Sequence, residues 1–335
     1  MGHIARRGAL YAGLVLLAVA SVFPLLWAGI SSVRHDDDIF RYTATLSWRT
    51  LVPDAPTLDN YRQILLHDRF VRFFGNSVLV AGATVTLGLF VNSLAAYGFA
   101  RFEFPSRRLL FGLVLVTLMV PFEVIVLPLY LVVRELGWLD TYAALIIPAV
   151  PDAFSIFLIR QFMAKLPRDL FDAARVDGAS GWSLYWRIAL PSVKPALVTA
   201  SLLLFLRQWD AFFWPLVATS SLELTVIQVA LTKYMTEFVT YWGRLLAGSI
   251  LATLPIVLLF LVLQRYYVQS VTAWGGPLLL RAFAREGEAR AADLLADFLG
   301  ELVERVAEAP DRYRWDYVEA LVICRKASDA EQANG

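Results

Sequence analysis

Between Phe73 and Ala100 the chain carries no Asp, Glu, Lys or Arg, and that run constrains everything else. A helix through it is about 42 Å long at roughly 1.5 Å per residue, more than the ~30 Å hydrocarbon core of a bilayer requires. In water such a helix would expose apolar surface on every side. In lipid it satisfies its own backbone hydrogen bonds and has nothing else to satisfy. Composition agrees: of 335 residues, 58% are hydrophobic and 18% charged, with a mean hydropathy of +0.59, where ordinary globular domains carry about 25% charged residues.

Five more runs are long enough to cross a bilayer, at 9–30, 109–133, 141–159, 196–217 and 245–264. With 73–100 they predict an all-α polytopic membrane protein of six transmembrane helices. The run at 141–159 is short and interrupted by Pro148, Pro151 and Asp152, a break tolerated where neighbouring helices or a water-filled cavity satisfy the freed backbone. At the N-terminus, Arg6, Arg7 and Ala18-Val19-Ala20 imitate a secretory signal. The apolar run continues through Trp27 to Ile30, so it reads as a first span and not a cleaved leader.

Loop Lys and Arg set orientation. Arg6 and Arg7 precede the first span, Arg101, Arg107 and Arg108 follow the second, and Arg160, Lys165, Arg168, Arg175, Arg187 and Lys194 follow the fourth. The third and fifth loops carry mainly Arg134 and Lys233. The first loop, 31–72, blurs the contrast with six arginines, but six aspartates match them. Both termini and 160–195 are therefore expected on the cytoplasmic side. A net charge of +1 argues against nucleic acid as a partner. The single Cys324 makes neither a disulfide nor a metal site, and no metal or cofactor is expected.

Residues 166–191 break the oily pattern. Pro167 suits the first position of a helix, Asp169 and Asp172 suit its positive end, and Gly178 suits its stop. Ser180 can cap a second helix that shows Trp182, Tyr185, Trp186 and Ala189 at spacings of three and four before Pro191 and Pro195. The expectation is a helix–turn–helix along the cytoplasmic face. Ala173 and Ala174 let a partner backbone approach closely, and Asp172 beside them can pair with a partner arginine. A membrane-surface amphipathic loop is the alternative, and the residues alone leave both open.

The run Asp172-Ala173-Ala174-Arg175-Val176-Asp177-Gly178-Ala179-Ser180, followed by Ile188-Ala189-Leu190-Pro191, resembles the "EAA" loop of ABC-importer permeases. That loop reads E-A-A-x-x-D-G-A and then I-x-L-P; here Asp172 stands where Glu is usual. "NSLAAYGFARFEFPSRR" (92–108), "MVPFEVIVLPLYLVVRELGWLDTYAALIIP" (119–148), "IFLIRQFMAKLP" (156–167), "QWDAFFWPLVATS" (208–220) and "LATLPIVLLFLVLQRYYV" (251–268) are similar to carbohydrate importers of the maltose and glycerol-phosphate type. The resemblance runs through roughly 10–270. It implies the type I importer permease fold over 1–274, with a cytoplasmic helix–turn–helix coupling loop at 168–191. It implies residence in a bacterial inner membrane and import of a sugar or sugar-like solute. The implied partners are a second homologous permease, two ATP-binding subunits and an extracytoplasmic solute-binding protein. Asp172, Ala173, Ala174, Asp177, Gly178, Ala179, Ile188 and Pro191 become the ATPase-coupling residues. The chain has no G-x-x-x-x-G-K-[ST] loop, so energy must arrive through such a contact.

Ionisable groups within spans face a cavity or a partner. Glu123, Asp152 and Arg207 are read as structural: Glu123 steadies a helix irregularity between Pro121 and Pro128, and Arg207 pairs with Asp210 at i,i+3. Sugars bind to aromatic faces and hydrogen-bonding side chains, which makes Gln208, Trp209, Asp210 and Phe213 the candidate solute path. Asn76 and Asn92 are expected to tie helices together. The tail, 275–335, is expected to be cytoplasmic and helical, with Leu295, Phe298, Leu299, Leu302 and Val306 on one stripe of an acidic helix at 286–308. Two rivals are an ion-coupled carrier using Asp152 or Glu123, and an intramembrane aspartyl protease using Asp152 and Asp210. The first has no need of a docking loop. The second lacks a glycine-rich surround at "VPDAF" and "QWDAF".

Overall fold

The computed structural model describes residues 2–41, 48–235 and 239–262, all within one unit, Met1–Val268. The acidic helix expected at 286–308 and the rest of the tail lie outside the described residues. The described secondary structure is helical apart from an isolated bridge between Met235 and Thr240. In chain order the helices of five residues or more are α1 (Gly2–Ser32), α2 (Asp59–Leu66), α3 (Phe70–Arg101), α4 (Arg107–Val116), α5 (Phe122–Glu135), α6 (Tyr142–Ile146) and α7 (Ala153–Ala164). They continue as α8 (Arg168–Val176), α9 (Gly181–Ser192), α10 (Lys194–Trp209), α11 (Phe213–Ala218), α12 (Ile227–Leu231) and α13 (Trp242–Val262).

Three helices are long and apolar enough to cross a membrane unaided: Tyr11–Ser32 within α1, the whole of α3, and α13. Three more candidates are bent pairs, which brings the total up to six. The run expected as one span at 109–133 is not one helix. Arg107–Met119 and Phe122–Glu135 meet at 107°. Val120 before Pro121 is extended, at φ −87° and ψ 115°, the region that a following proline ring favours for its predecessor. The run at 141–159 breaks where Pro151 and Asp152 stand, with a bend of 41° between Tyr142–Ala149 and Ala153–Ala164. The run at 196–217 is divided too: α10 stops at Trp209, Asp210 caps it, and the chain resumes as α11.

α3 is the axis of the bundle, with α7 and α10 packed along it and α12 near its start. Gly88 makes the closest approach possible: a Cβ there would stand 3.2 Å from Leu204 Cδ1 and 3.4 Å from the Val150 carbonyl oxygen. Asn76 and Asn92 do tie helices. Asn76 Nδ2 donates to the carbonyls of Glu223 and Thr225 and its Oδ1 accepts from Tyr142. Asn92 Nδ2 donates to the Val150 carbonyl, and its Oδ1 accepts from the Asp152 N–H. The backbone groups freed by the break at Pro151 are thereby satisfied inside the bundle, as the interior of a membrane demands.

Candidate functional site

α8 starts at Arg168, with Pro167 just outside it as its cap and not its first residue. It ends in a Schellman arrangement: Ala179 N–H donates to the Ala174 carbonyl at 2.9 Å and Gly178 N–H to the Arg175 carbonyl at 3.0 Å. Gly178 sits at φ +82°, a left-handed conformation that favours glycine. Ser180 caps α9 and accepts from the Ser183 N–H. Within α9, Leu184–Ala189 is wound as a π-helix, and an 80° bend at Val193 leads into α10. Pro191 therefore does not end α9; it stands exposed near its last residue.

One side of this helix pair is anchored. Phe171, Leu184, Tyr185 and Ala189 are buried in a cluster with Ala96 and Tyr97 of α3, Ile159 and Met163 of α7, and Ala196 of α10. The Arg101 guanidinium lies 3.8 Å above the Phe171 ring and donates to the Leu166 carbonyl. The Tyr185 hydroxyl, on a side chain only 1% exposed, meets Ser93 Oγ of α3 at 2.7 Å. The four residues Trp182, Tyr185, Trp186 and Ala189 do not share one face: Tyr185 and Ala189 are buried, and both tryptophans are exposed.

The other side is bare. Asp172, Ala173, Asp177 and Gly178 are exposed, Ala174, Ala179 and Ile188 half-buried. Asp172 is held by its own Arg175 at 2.8 Å. Between Asp177–Ser180 and the Trp182, Trp186 and Arg187 side chains lies an open groove of about 610 Å³. Val176 is 89% exposed, more than any other large apolar side chain among the described residues. Sequence reasoning passed over it; a valine among aspartates, arginine and alanines at the tip of a capped helix was the available signal.

The intramembrane polar residues pair differently from expectation. Arg207 does not pair with Asp210; its Nη1 donates to Asp152 Oδ1 at 2.5 Å, joining α10 to α7. Asp152, 4% exposed, caps α7 as well, its Oδ2 accepting from the Ser155 N–H at 2.9 Å and from Ser155 Oγ. Asp210 is exposed and accepts from Gln228 Nε2 at 3.4 Å. Glu123 is exposed in the first turn of α5, directly after the break at Pro121.

The candidate solute path also divides. Trp209 is enclosed: 1% exposed, stacked on Phe205, edge-on to Phe74, its indole N–H donating to the Ala252 carbonyl at 3.0 Å. It offers no ring face to a solute. Trp214, likewise buried, donates to the Ala144 carbonyl. Gln208 is half-buried, with the Leu145 carbonyl 3.5 Å from its Nε2, while Phe213 and Asp210 stand exposed.

The sequence profile described as "Binding-protein-dependent transport system inner membrane component" matches residues 84–273. The arabinooligosaccharides transport system permease protein AraQ of Halalkalibacterium halodurans is 35% identical over 264 residues, covering 78% of this chain and 94% of AraQ. The trehalose transport system permease protein SugB of Mycobacterium tuberculosis is 32% identical, covering 80% of this chain and 97% of its own. A bacterial ABC transporter involved in the import of the acidic polysaccharide alginate superposes with a TM-score of 0.69 at 23% identity, over 78% of this chain and 97% of that one. A second crystal structure, of a bacterial alginate ABC transporter in complex with an alginate pentasaccharide-bound periplasmic protein, superposes with a TM-score of 0.53 at 16% identity, over 78% and 94%. At these identities the superpositions speak for the fold.

Proposed function

Since the chain belongs to the family of binding-protein-dependent transport system inner membrane components, and is thus a permease subunit of an ABC importer and not an enzyme, we propose that its cargo is a sugar and that residues 168–191 couple it to a separate ATPase. Relatives named for arabinooligosaccharides and trehalose support the cargo. The observation that carries the coupling is the two-sidedness of α8 and α9. One face is locked into the spans through Phe171 and Tyr185, while the other presents Asp172, Ala173 and the bare Val176. A surface amphipathic loop would bury its apolar residues in lipid headgroups; here the deepest ones are already buried in protein.

The assembly we propose holds this permease, a second homologous permease, two ATP-binding subunits and an extracytoplasmic solute-binding protein. Both termini and the loop face the cytoplasm, in a permease domain of 1–274 followed by a tail at 275–335. Closure of the ATPase dimer would push the loop, and the buried cluster would carry the push into α3 and α7 as a rigid-body movement. Asp172, shorter by one methylene than the usual glutamate, is relieved of reach by Val176, which extends the contact at the tip. Gln208, Asp210 and Phe213 are retained as solute contacts. The test uses vesicles carrying both permeases. Purified ATPase should bind inside-out vesicles and not right-side-out ones, and Ala173→Trp should abolish that binding by bulk. Binding to right-side-out vesicles would reverse the orientation. Undiminished binding by the Trp variant would remove the loop from the contact.

A further inference from the structure

Arg207 is an unusual residue to find where it is. It lies about 20 Å along α10 from Lys194 at roughly 1.5 Å per residue, directly after the apolar run Leu202–Leu206. Its side chain is 66% exposed, although the Asp152 it pairs with is 4% exposed. A guanidinium at that depth does not face hydrocarbon; it faces a water-filled route or another protein surface.

The way it is held points to the route. Guanidinium is a planar fork with five N–H donors. Asp152 takes one through Nη1, and Asp152 is itself fixed by two contacts from Ser155, so the fork is oriented from behind while its remaining donors stay on the exposed side. One turn further, Asp210 exposes an acceptor carboxylate, with Gln228 Nε2 at 3.4 Å. Phe212 and Phe213 follow, with 39% and 47% of their surface exposed. A fixed donor fork, a carboxylate acceptor and open aromatic faces on consecutive turns match what a sugar presents: hydroxyl oxygens, hydroxyl protons and apolar C–H faces. The charge balance narrows the class. One guanidinium stands against two carboxylates and Asp152 already engages it, so an uncharged solute meets no repulsion while an anionic one meets the Asp210 carboxylate at close range.

We propose that Arg207 and Asp210 form a recognition pair for sugar hydroxyls, with Asp152 as the positioning residue, and that the pair selects uncharged sugars over acidic ones. The proposal rests on the reading that this segment lines the solute route. The complete importer in lipid nanodiscs, without its solute-binding protein, removes the selection made by that partner. Equilibrium dialysis then compares two radiolabelled probes of equal length, uncharged arabinotriose and an anionic galacturonate trimer. Arabinotriose should bind at least about tenfold tighter, and Arg207→Gln should weaken it by about tenfold, the loss expected for one charge-assisted hydrogen bond. Asp210→Asn should narrow the preference by admitting the uronate. Arg207→Lys keeps the ion pair with Asp152 but not the planar fork, so the complex should stay assembled and still lose sugar affinity. Equal binding of both probes by the unaltered importer overturns the selectivity. Arabinotriose affinity unchanged in both Arg207 variants overturns the recognition role, as does loss of the second permease in Arg207→Gln, which would place the residue at the subunit interface. If the unaltered importer binds neither probe, the reading underneath is wrong and the segment does not line the route.

Discussion

The loop at 168–191 and the segment at 207–214 contain four aromatic residues each, and in each the structure buries two and exposes two. In the loop, Phe171 and Tyr185 are inside and Trp182 and Trp186 outside; in the segment, Trp209 and Trp214 are inside and Phe212 and Phe213 outside. Their charges behave in opposite ways. Asp172 of the loop is answered three residues away by Arg175, at the surface. Arg207 of the segment is answered across the bundle by Asp152, whose carboxylate is buried. The first region is shaped by local rules and the second by what the rest of the bundle brings to it. The proposed functions follow the same division: the loop as a docking face on a fixed base, and the segment as a wall of the solute route.

Trp209→Ala breaks the comparison most forcefully. It removes a buried indole, its hydrogen bond to the Ala252 carbonyl and its contacts with Phe74 and Phe205. Large-to-small substitutions of this kind cost about 3–5 kcal/mol, so the yield of folded chain should fall sharply in detergent, with Trp209→Phe losing much less. A fully folded Trp209→Ala variant that fails only in uptake would return Trp209 to the solute path. A smaller effect sharpens the account of the loop's base. Tyr185→Phe deletes the hydroxyl that meets Ser93 and leaves the ring in place, which should lower the melting temperature by the equivalent of about 1 kcal/mol. Ser93→Ala should cost somewhat more, because Ser93 Oγ also reaches the Leu89 and Phe90 carbonyls of its own helix, and the double variant should cost little more than Ser93→Ala alone, because the bond to Tyr185 is lost only once. Costs that simply add would mean the bond does not link the loop to α3.

The residues explain why one region was legible before the other. Pro167, Gly178 and Ser180 act within a turn of themselves, so a helix, its stop and the next cap could be read from spacing alone. The Schellman bonds to Arg175 and Ala174 are the physical form of that reading. The uncharged run at Phe73–Ala100 was legible for a related reason, since length and absence of charge suffice. The partner of Arg207 was not legible, because Asp210 is near in sequence while Asp152 is near only after α7 and α10 pack on α3. Nor could "QWDAFFWP" reveal which rings turn inward. That depends on where packing brings the Ala144 and Ala252 carbonyls, which accept from the two indole N–H groups. The 107° turn at Pro121 was signalled by the proline, yet the hydropathy of 109–133 runs straight through it and hides the break.

The claim that the loop is the coupling element is tested most directly at Gly178, where a Cβ would meet no neighbouring atom and only the backbone angle is at stake. Proline there is excluded from φ +82° and removes the N–H that donates to Arg175, so α8 and α9 lose their relative angle. Asparagine tolerates the left-handed region and keeps the N–H. The measurement is the amount of ATPase retained per permease on purification, with sugar uptake measured on the same membranes. Gly178→Pro should insert normally, lose most of its ATPase and lose uptake in proportion, while Gly178→Asn stays close to the unaltered chain. Normal ATPase retention and undiminished uptake in Gly178→Pro would contradict the account and leave 168–191 as a surface loop with no part in coupling.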